Sequence, residues 1–347
     1  IVNVFFLDPR FGLHRGFDDY DFVAPQNNQK ERRAGATTDT AITWLTRHKD
    51  DTFFLMVHYF DAHLTYDPPQ PFRSKFAANV DASSQQALFG TEEDMVALRA
   101  GKRALSSIPI DRLSKLYDGE VAYVDAEVGR LLDELNKLGL ERDTIVVLTA
   151  DHGEEFLDHG GFEHGHTLYN ELLHVPLMIR YPGSIKSKRI EQTVRHLDVA
   201  PTLLELAGLS AEPAFVGESL VSLINGAERH DRFALSQGNM WGPNLNCLRA
   251  DGYKLIQYAD RTEMYHVKID ELEKVDLAGD ATARPARVKL QTAMDAMLKL
   301  LRGRATPQSS MSLTPIERDV LRSLGYVNGS ADRNTTSRSA ISPDHKK

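Results

Sequence analysis

Two unbroken apolar runs, residues 52–60 and 144–149, stand on either side of a long amphipathic stripe, and this arrangement narrows the folds open to the chain more than any other feature. An apolar run of strand length without alternation is what a strand covered on both faces requires. Between the runs, Leu113, Leu116, Val121, Val124, Val128, Leu131, Leu135 and Leu138 recur at helical spacing, and Gly139 follows, a residue suited to ending a helix. A third run, residues 175–181, stops at Pro182-Gly183. Residues 1–7 read as an opening strand, and residues 37–48 carry helical spacing through Ala41, Trp44 and Leu45. Asp198 is placed to cap a helix that runs to Ala207 and closes at Gly208. Strands alternating with helices predict an α/β domain built on a mostly parallel sheet with helices on both faces.

After about Arg229 the pattern changes. Residues 233–236, 246–249, 253–258 and 263–267 are short strand-like segments joined by tight turns such as Asp251-Gly252, which predicts a small carboxy-terminal antiparallel sheet. Helical spacing over residues 284–301 supplies a helix to pack on it, and residues 315–324 read as a short helix. Residues 77–109 are polar and mixed, with a helix expected near 92–100, and residues 328–347 are expected to be disordered. The chain is therefore expected to divide into a domain of residues 1–228, a smaller one of residues 229–327 and a tail of residues 328–347. Charged residues at 26% and hydrophobic ones at 41% are a soluble globular mixture. The net charge of -8 argues against a general nucleic-acid binder and leaves a small anionic ligand open. No apolar run is long enough to span a membrane. The single cysteine, Cys247, excludes an internal disulfide and reads as a small buried strand residue with no adjacent base.

The densest chemistry follows the second apolar run. Thr149-Ala-Asp-His-Gly-Glu-Glu155, continued by Asp158-His-Gly-Gly-Phe-Glu-His-Gly-His166, holds His152, His159, His164 and His166 out of 13 histidines in the whole chain. Ligands of open α/β sheets sit beyond the carboxyl ends of strands. A carboxylate next to an imidazole on a sharp turn suits one divalent cation, and Gly153 permits the turn. Asp151 and His152 are thus candidate metal ligands. Glu154, Glu155 and Asp158 read instead as the acidic first turn of a helix. His58-Tyr-Phe-Asp-Ala-His63 also follows an apolar run. His63, ahead of a proline-rich loop, is placed either to hold an anionic ester oxygen or protonate a leaving group, or simply to bond backbone. His58, on the run itself, reads as a core histidine. No Gly-x-Ser-x-Gly elbow and no Gly-rich phosphate loop occurs.

At these residues the chain resembles the sulfatase family of the alkaline-phosphatase superfamily, from its start to about residue 327. Leu7-Asp-Pro-Arg-Phe-Gly-Leu13 with Gly16-Phe-Asp-Asp-Tyr-Asp21 is similar to the stretch after the family's nucleophile region. Residues 53–69 resemble its strand and Asp-x-His-x-Pro-Tyr loop, with Thr65 where proline is usual, and residues 149–153 its Asp-His/Asn-Gly metal motif. Gly165-His-Thr-Leu-Tyr169 with Val175-Pro-Leu177, Asp198-Val-Ala-Pro-Thr-Leu-Leu204 and Gly252-Tyr-Lys-Leu-Ile256 are further markers in the family's order.

The resemblance implies an alkaline-phosphatase-like fold and hydrolysis of a sulfate ester, on a small molecule or a glycan. Asp151 and His152 would be two ligands of one divalent cation. Ca²⁺ suits the carboxylate; an imidazole ligand tilts toward Mn²⁺ or Zn²⁺. His63 falls at the place of a substrate-contacting histidine. His166 falls near that of a residue that contacts the sulfate and leaving group, with His164 as the competing assignment. The family's Cys/Ser-x-Pro-x-Arg motif, whose first residue becomes formylglycine, occurs nowhere in the sequence. It and an early Asp-rich metal motif are expected upstream of Ile1, in a longer chain of which this is a part, so these residues alone are expected to be inactive. A phosphodiester or phosphonate monoester hydrolase and a non-catalytic remnant are the alternatives. Specificity is expected in residues 77–109 and 241–246, and a periplasmic or extracellular location is what the resemblance favours. Oligomeric state has no readable signal.

Overall fold

The computed structural model describes residues 1–23, 32–78, 104, 109–210, 212–238 and 244–304 of the 347-residue chain. These residues fall into two compact units that meet in sequence between Thr144 and Ile145. The segments expected near 92–100, 315–324 and 328–347, and most of 77–109, lie outside the described residues.

In the first unit, α1 (Ala34–Arg47), α2 (Phe72–Phe76) and α3 (Ile110–Lys137) pack together. α1 begins three residues before the expected start because its first turn is satisfied from distant parts of the chain. The Ala34 N–H donates to Asp61 Oδ1 at 3.0 Å and the Gly35 N–H to the Tyr123 hydroxyl at 2.8 Å. Such partners complete the donors that every helix start leaves open. Along α3, Leu113, Leu116 and Leu135 are buried as the stripe predicts, whereas Val121 is exposed. Pro68 crosses so close to Gly119 that a Cβ there would sit 2.8 Å from the ring. Glu120, fully buried on the same turn, accepts the Asp67 N–H at 2.8 Å. Gly139 ends the helix in the left-handed conformation, with φ 74°.

Two expected strands change character. Residues 1–7 contribute only a single parallel bridge, Val2 to Phe22, and then turn into a 3₁₀ segment at Phe5–Leu7. Asp8 explains the turn: it caps the next segment, Pro9–Phe11, by accepting the Arg10 N–H at 2.9 Å. Residues 52–60 form no assigned strand; Ile1 bonds their backbone, through its amino group to Met56 O at 2.8 Å and its carbonyl to the His58 N–H at 3.0 Å, and Phe60 O accepts the His63 N–H at 3.0 Å. The expected burial on both faces is therefore corrected, because Phe54 and Met56 are exposed. His58 is satisfied by Asn3 at 3.0 Å.

The second unit opens with β1 (Val146–Thr149), paired antiparallel with β4 (Leu177–Arg180). Between them lie the short hairpin β2 (Glu155–Phe156) and β3 (Phe162–Glu163), and α4 (Asn170–Leu173). α5 (Val199–Leu206) and α6 (Val221–Ile224) follow. Asp198 does not cap α5 with its side chain; that expectation is corrected. Its buried carboxylate sits between Arg195, at 2.7 Å, and Arg232, at 3.3 Å. The expected carboxy-terminal sheet is an antiparallel meander of β5 (Ala234–Gly238), β6 (Leu245–Ala250), β7 (Tyr253–Gln257) and β8 (Thr262–Tyr265). Asp251 and Gly252, both at positive φ, make its β6–β7 turn, the conformation a two-residue hairpin needs. α7 (Arg284–Arg304) lays Leu290, Met294 and Leu298 on Leu248, Leu255 and Met264. Each such buried side chain contributes roughly 1.5–3 kcal/mol. The opposite face of the sheet packs Leu245, Cys247, Ile256 and Tyr265 against Leu168 and Tyr169. Cys247 is fully enclosed, and burial pushes its thiol up to about 11. The ladders among the described residues are antiparallel, and parallel pairing is confined to the Val2–Phe22 bridge.

Candidate active site

β1 ends at Thr149 and delivers Asp151 and His152 two and three residues later, on the turn the sequence singles out. The turn leans on α4. The Gly153 N–H donates to Leu172 O at 2.9 Å, and a Cβ at Gly153 would lie 1.9 Å from Glu171 O. Only glycine fits at that approach.

His152 Nδ1–H donates to Gly153 O at 2.8 Å. That bond engages Nδ1 and turns Nε2 outward as the nitrogen available to a metal, the orientation of a metal-binding imidazole. The Asp151 carboxylate is 82% exposed and places Oδ2 3.7 Å from His152 Nε2. Two lone-pair donors facing each other at that separation suit a cation between them. They are nevertheless two, where a hard divalent cation takes about six or more donors. Among the described residues no group of three or more His, Cys, Asp or Glu side chains is arranged to hold a metal ion. Asp151 and His152 thus fit as contributors to a cation's shell and do not complete one.

His164 and His166, two residues apart, separate in space. The His164 ring lies against that of His152, with centroids 4.0 Å apart. Its Nδ1–H donates to Glu154 Oε1 at 2.9 Å. Burial disfavours the cation, but the Glu154 hydrogen bond and charge, with Glu163 and Asp151 nearby, outweigh it and raise the His164 pKa. His166 instead points back over the hairpin, with Nε2 2.8 Å from Glu155 Oε2 and its ring filling the space where a Gly161 side chain would be. Glu155 is held below the usual carboxylate range. Burial pushes it up, but His166 and the N–H groups of Gly161 and His159 prevail.

Glu154, Glu155 and Asp158 do not begin a helix, which corrects that expectation. Leu157, Gly160 and Glu163 take positive φ, and the chain doubles back as β2 and β3. Each acid finds a local partner: Glu154 takes His164, Glu155 takes His166, and Asp158 accepts the Phe156 N–H at 2.9 Å. The sequence signal for this was an acidic pair and a histidine pair in the same order, on either side of Gly160-Gly161. His159 completes the set against Glu171 at 2.6 Å, stacked on Tyr169 with ring centroids 3.7 Å apart.

His63 belongs to the first unit. Its Nδ1–H donates to Leu64 O at 2.8 Å, and its ring stacks on Phe60 with centroids 4.4 Å apart. It lines a small pocket with Arg32, Arg33, Phe60, Asp61, Leu64 and Thr65.

Comparisons with known proteins bear on the family and the fold. The family model described as sulfatase matches residues 9–209, and that of the N-sulphoglucosamine sulphohydrolase carboxy-terminal region matches residues 157–300. A sulfatase of Formosa agariphila is 33% identical over 174 residues, which are 50% of this chain and 34% of that protein. A protein solved in complex with its substrate D-glucosamine-2-N,6-O-disulfate shares the fold, with a TM-score of 0.61, 21% identity, and coverage of 78% of this chain and 70% of that one. The phosphonate monoester hydrolase of Agrobacterium radiobacter does so as well, with a TM-score of 0.59, 23% identity, and coverage of 79% of this chain and 62% of that one. The chain spans a third to a half of the length of the curated relatives it matches. With the family model matched over more than half its residues, the chain belongs to the sulfatase family, on an alkaline-phosphatase-like α/β fold with a small antiparallel sheet at its carboxy-terminal end.

Proposed function

We propose that the protein this chain forms part of hydrolyses a sulfate ester carried on a small molecule or a glycan, the class to which the disulfated glucosamine of the solved relative belongs. The observation that supports this most directly is the pair of facing donors, Asp151 Oδ2 and His152 Nε2, 3.7 Å apart on the turn after β1. A divalent cation held there would neutralise charge developing on the ester oxygens. Asp151 and His152 contribute to its shell and α4 fixes their turn. His164, whose Nδ1–H donates to Glu154 Oε1 and whose pKa Glu154 raises, lies beside His152 and is suited to protonating the departing alcohol oxygen. His166, committed to Glu155, supports the hairpin; His63 is a second candidate for contact with the substrate. The formylglycine nucleophile and the remaining metal ligands lie, in this reading, outside the 347 residues.

The test is to express the chain extended upstream through its native gene and to measure sulfate release from para-nitrophenyl sulfate beside phosphate and phosphonate release from the matching esters. Preferential sulfate release supports the reading. Preferential hydrolysis of the phosphonate monoester or phosphodiester would replace it with the alternative reaction of the same superfamily.

A further inference from the structure

We propose that Lys254 and Glu273 are positioning residues, a buried clamp that sets the direction of the Asp151–His152 turn through α4. The functional meaning of the clamp rests on reading that turn as part of the active site; its existence does not.

Lys254 lies within β7 and Glu273 in the loop after β8, 1% and 2% exposed respectively. The Lys254 ammonium is 2.9 Å from Glu273 Oε1 and 3.1 Å from Oε2. A buried ion pair adds little net stability, because desolvation of both charges offsets their attraction, and apolar replacements are often neutral or better. Glu273 also adopts φ 53°, a left-handed conformation that disfavours a side chain. Two unfavourable features at one residue call for a role other than holding the sheet together.

The partners of the pair show where the constraint goes. Glu273 Oε2 accepts the N–H of Asn170, the first residue of α4, at 2.7 Å. Lys254 reaches the Asn170 side-chain oxygen at 3.3 Å, and the Glu273 carbonyl lies 3.2 Å from His159 Nε2. At its other end α4 accepts the Gly153 N–H through Leu172 O, 2.9 Å away, and Glu171 O occupies the space beside Gly153. Gly153 O in turn receives the Nδ1–H of His152. An unbroken series of bonds therefore runs from the Lys254 ammonium to the His152 ring. It also gives Lys254 of the Gly252-Tyr-Lys-Leu-Ile256 marker a task that burial in a strand alone does not explain.

Two variants of the chain test the clamp. Lys254→Met/Glu273→Met replaces the pair with apolar groups of similar size. Asn170→Pro removes the N–H that Glu273 holds, at a helix start where proline is tolerated. Tyr169 before it is already extended, at ψ 170°, as a residue preceding proline must be. The readout is amide hydrogen exchange at Gly153 against that of Leu248 and Leu255 in the sheet. The clamp predicts exchange at Gly153 about tenfold faster or more, as loss of one supporting hydrogen bond implies, with the sheet amides unchanged. Gly153 exchange at the wild-type rate, or equal acceleration at all three sites, would overturn it. Should the double variant fail to fold, Asn170→Pro decides by the same criterion. Absence of sulfate-ester hydrolysis by the extended wild-type enzyme would remove the functional reading and leave the Gly153 result standing on its own.

Discussion

His164 and His166 stand two residues apart, and their carboxylate partners, Glu154 and Glu155, are adjacent, yet the geometry gives the two imidazoles different work. His164 presents its ring to His152 with a raised pKa; His166 is spent on the buried Glu155. In the extended enzyme, His164→Gln is expected to lower turnover by about 10²–10³-fold, the range for loss of a positioned general acid, with little change in melting temperature. His166→Gln is expected to do the reverse. Removing the hydrogen-bond partner of a buried carboxylate costs roughly 1–3 kcal/mol, read as a lower melting temperature. Turnover and thermal unfolding measured on both variants check the division, and equal effects on turnover would contradict it. The sequence exposed the histidine cluster and the Asp151–His152 turn, because chain position after an apolar run places them. It left His164 and His166 unresolved, because their directions depend on positive φ angles at Leu157 and Glu163, residues with no glycine to announce them.

At the scale of elements, legibility followed how local the cause was. α3 and the meander were readable because periodicity and turn chemistry lie within the segment itself. Residues 52–60 were misread because an apolar run states a need for burial without naming the neighbours that provide it. Asp198 shows the same limit: a capping residue by position, it is taken by Arg195 and by Arg232, 34 residues further along the chain. Arg232 also pairs with Glu228 at 2.8 Å, and its guanidinium, with the Ser222 hydroxyl, holds the Glu228 carboxyl down to about 2. A carboxylate whose folded pKa is depressed contributes stability that is complete above its ordinary range and fades as pH falls toward the folded value. Unfolding measured between pH 7 and pH 2 should therefore show an acid limb that Glu228→Gln flattens, with about 1.5–3 kcal/mol lost near neutrality. A variant as stable as wild type at neutral pH would contradict the pairing. In the meander core, Met294→Ala should cost about 2–5 kcal/mol by cavity formation under a fully buried side chain, measured by urea unfolding.

At the scale of the whole molecule, the chain belongs to the sulfatase family, while among the described residues the donors at the Asp151–His152 turn are too few to hold a cation by themselves. No helix among the described residues is long and apolar enough to cross a membrane. The net charge of -8 offers an anionic ligand no attraction from the overall field, so binding one would depend on local positive groups. The most direct measurement is sulfate release from para-nitrophenyl sulfate, with Ca²⁺ or Mn²⁺ added, by three preparations: the 347-residue chain, the upstream-extended chain and its Asp151→Asn variant. The account predicts metal-dependent turnover by the extended chain, a loss of at least about 10²-fold in Asp151→Asn as expected for a ligand of a catalytic cation, and no turnover by the 347 residues alone. Turnover by the 347-residue chain at the extended chain's rate, or an Asp151→Asn variant as active as its parent, would contradict it.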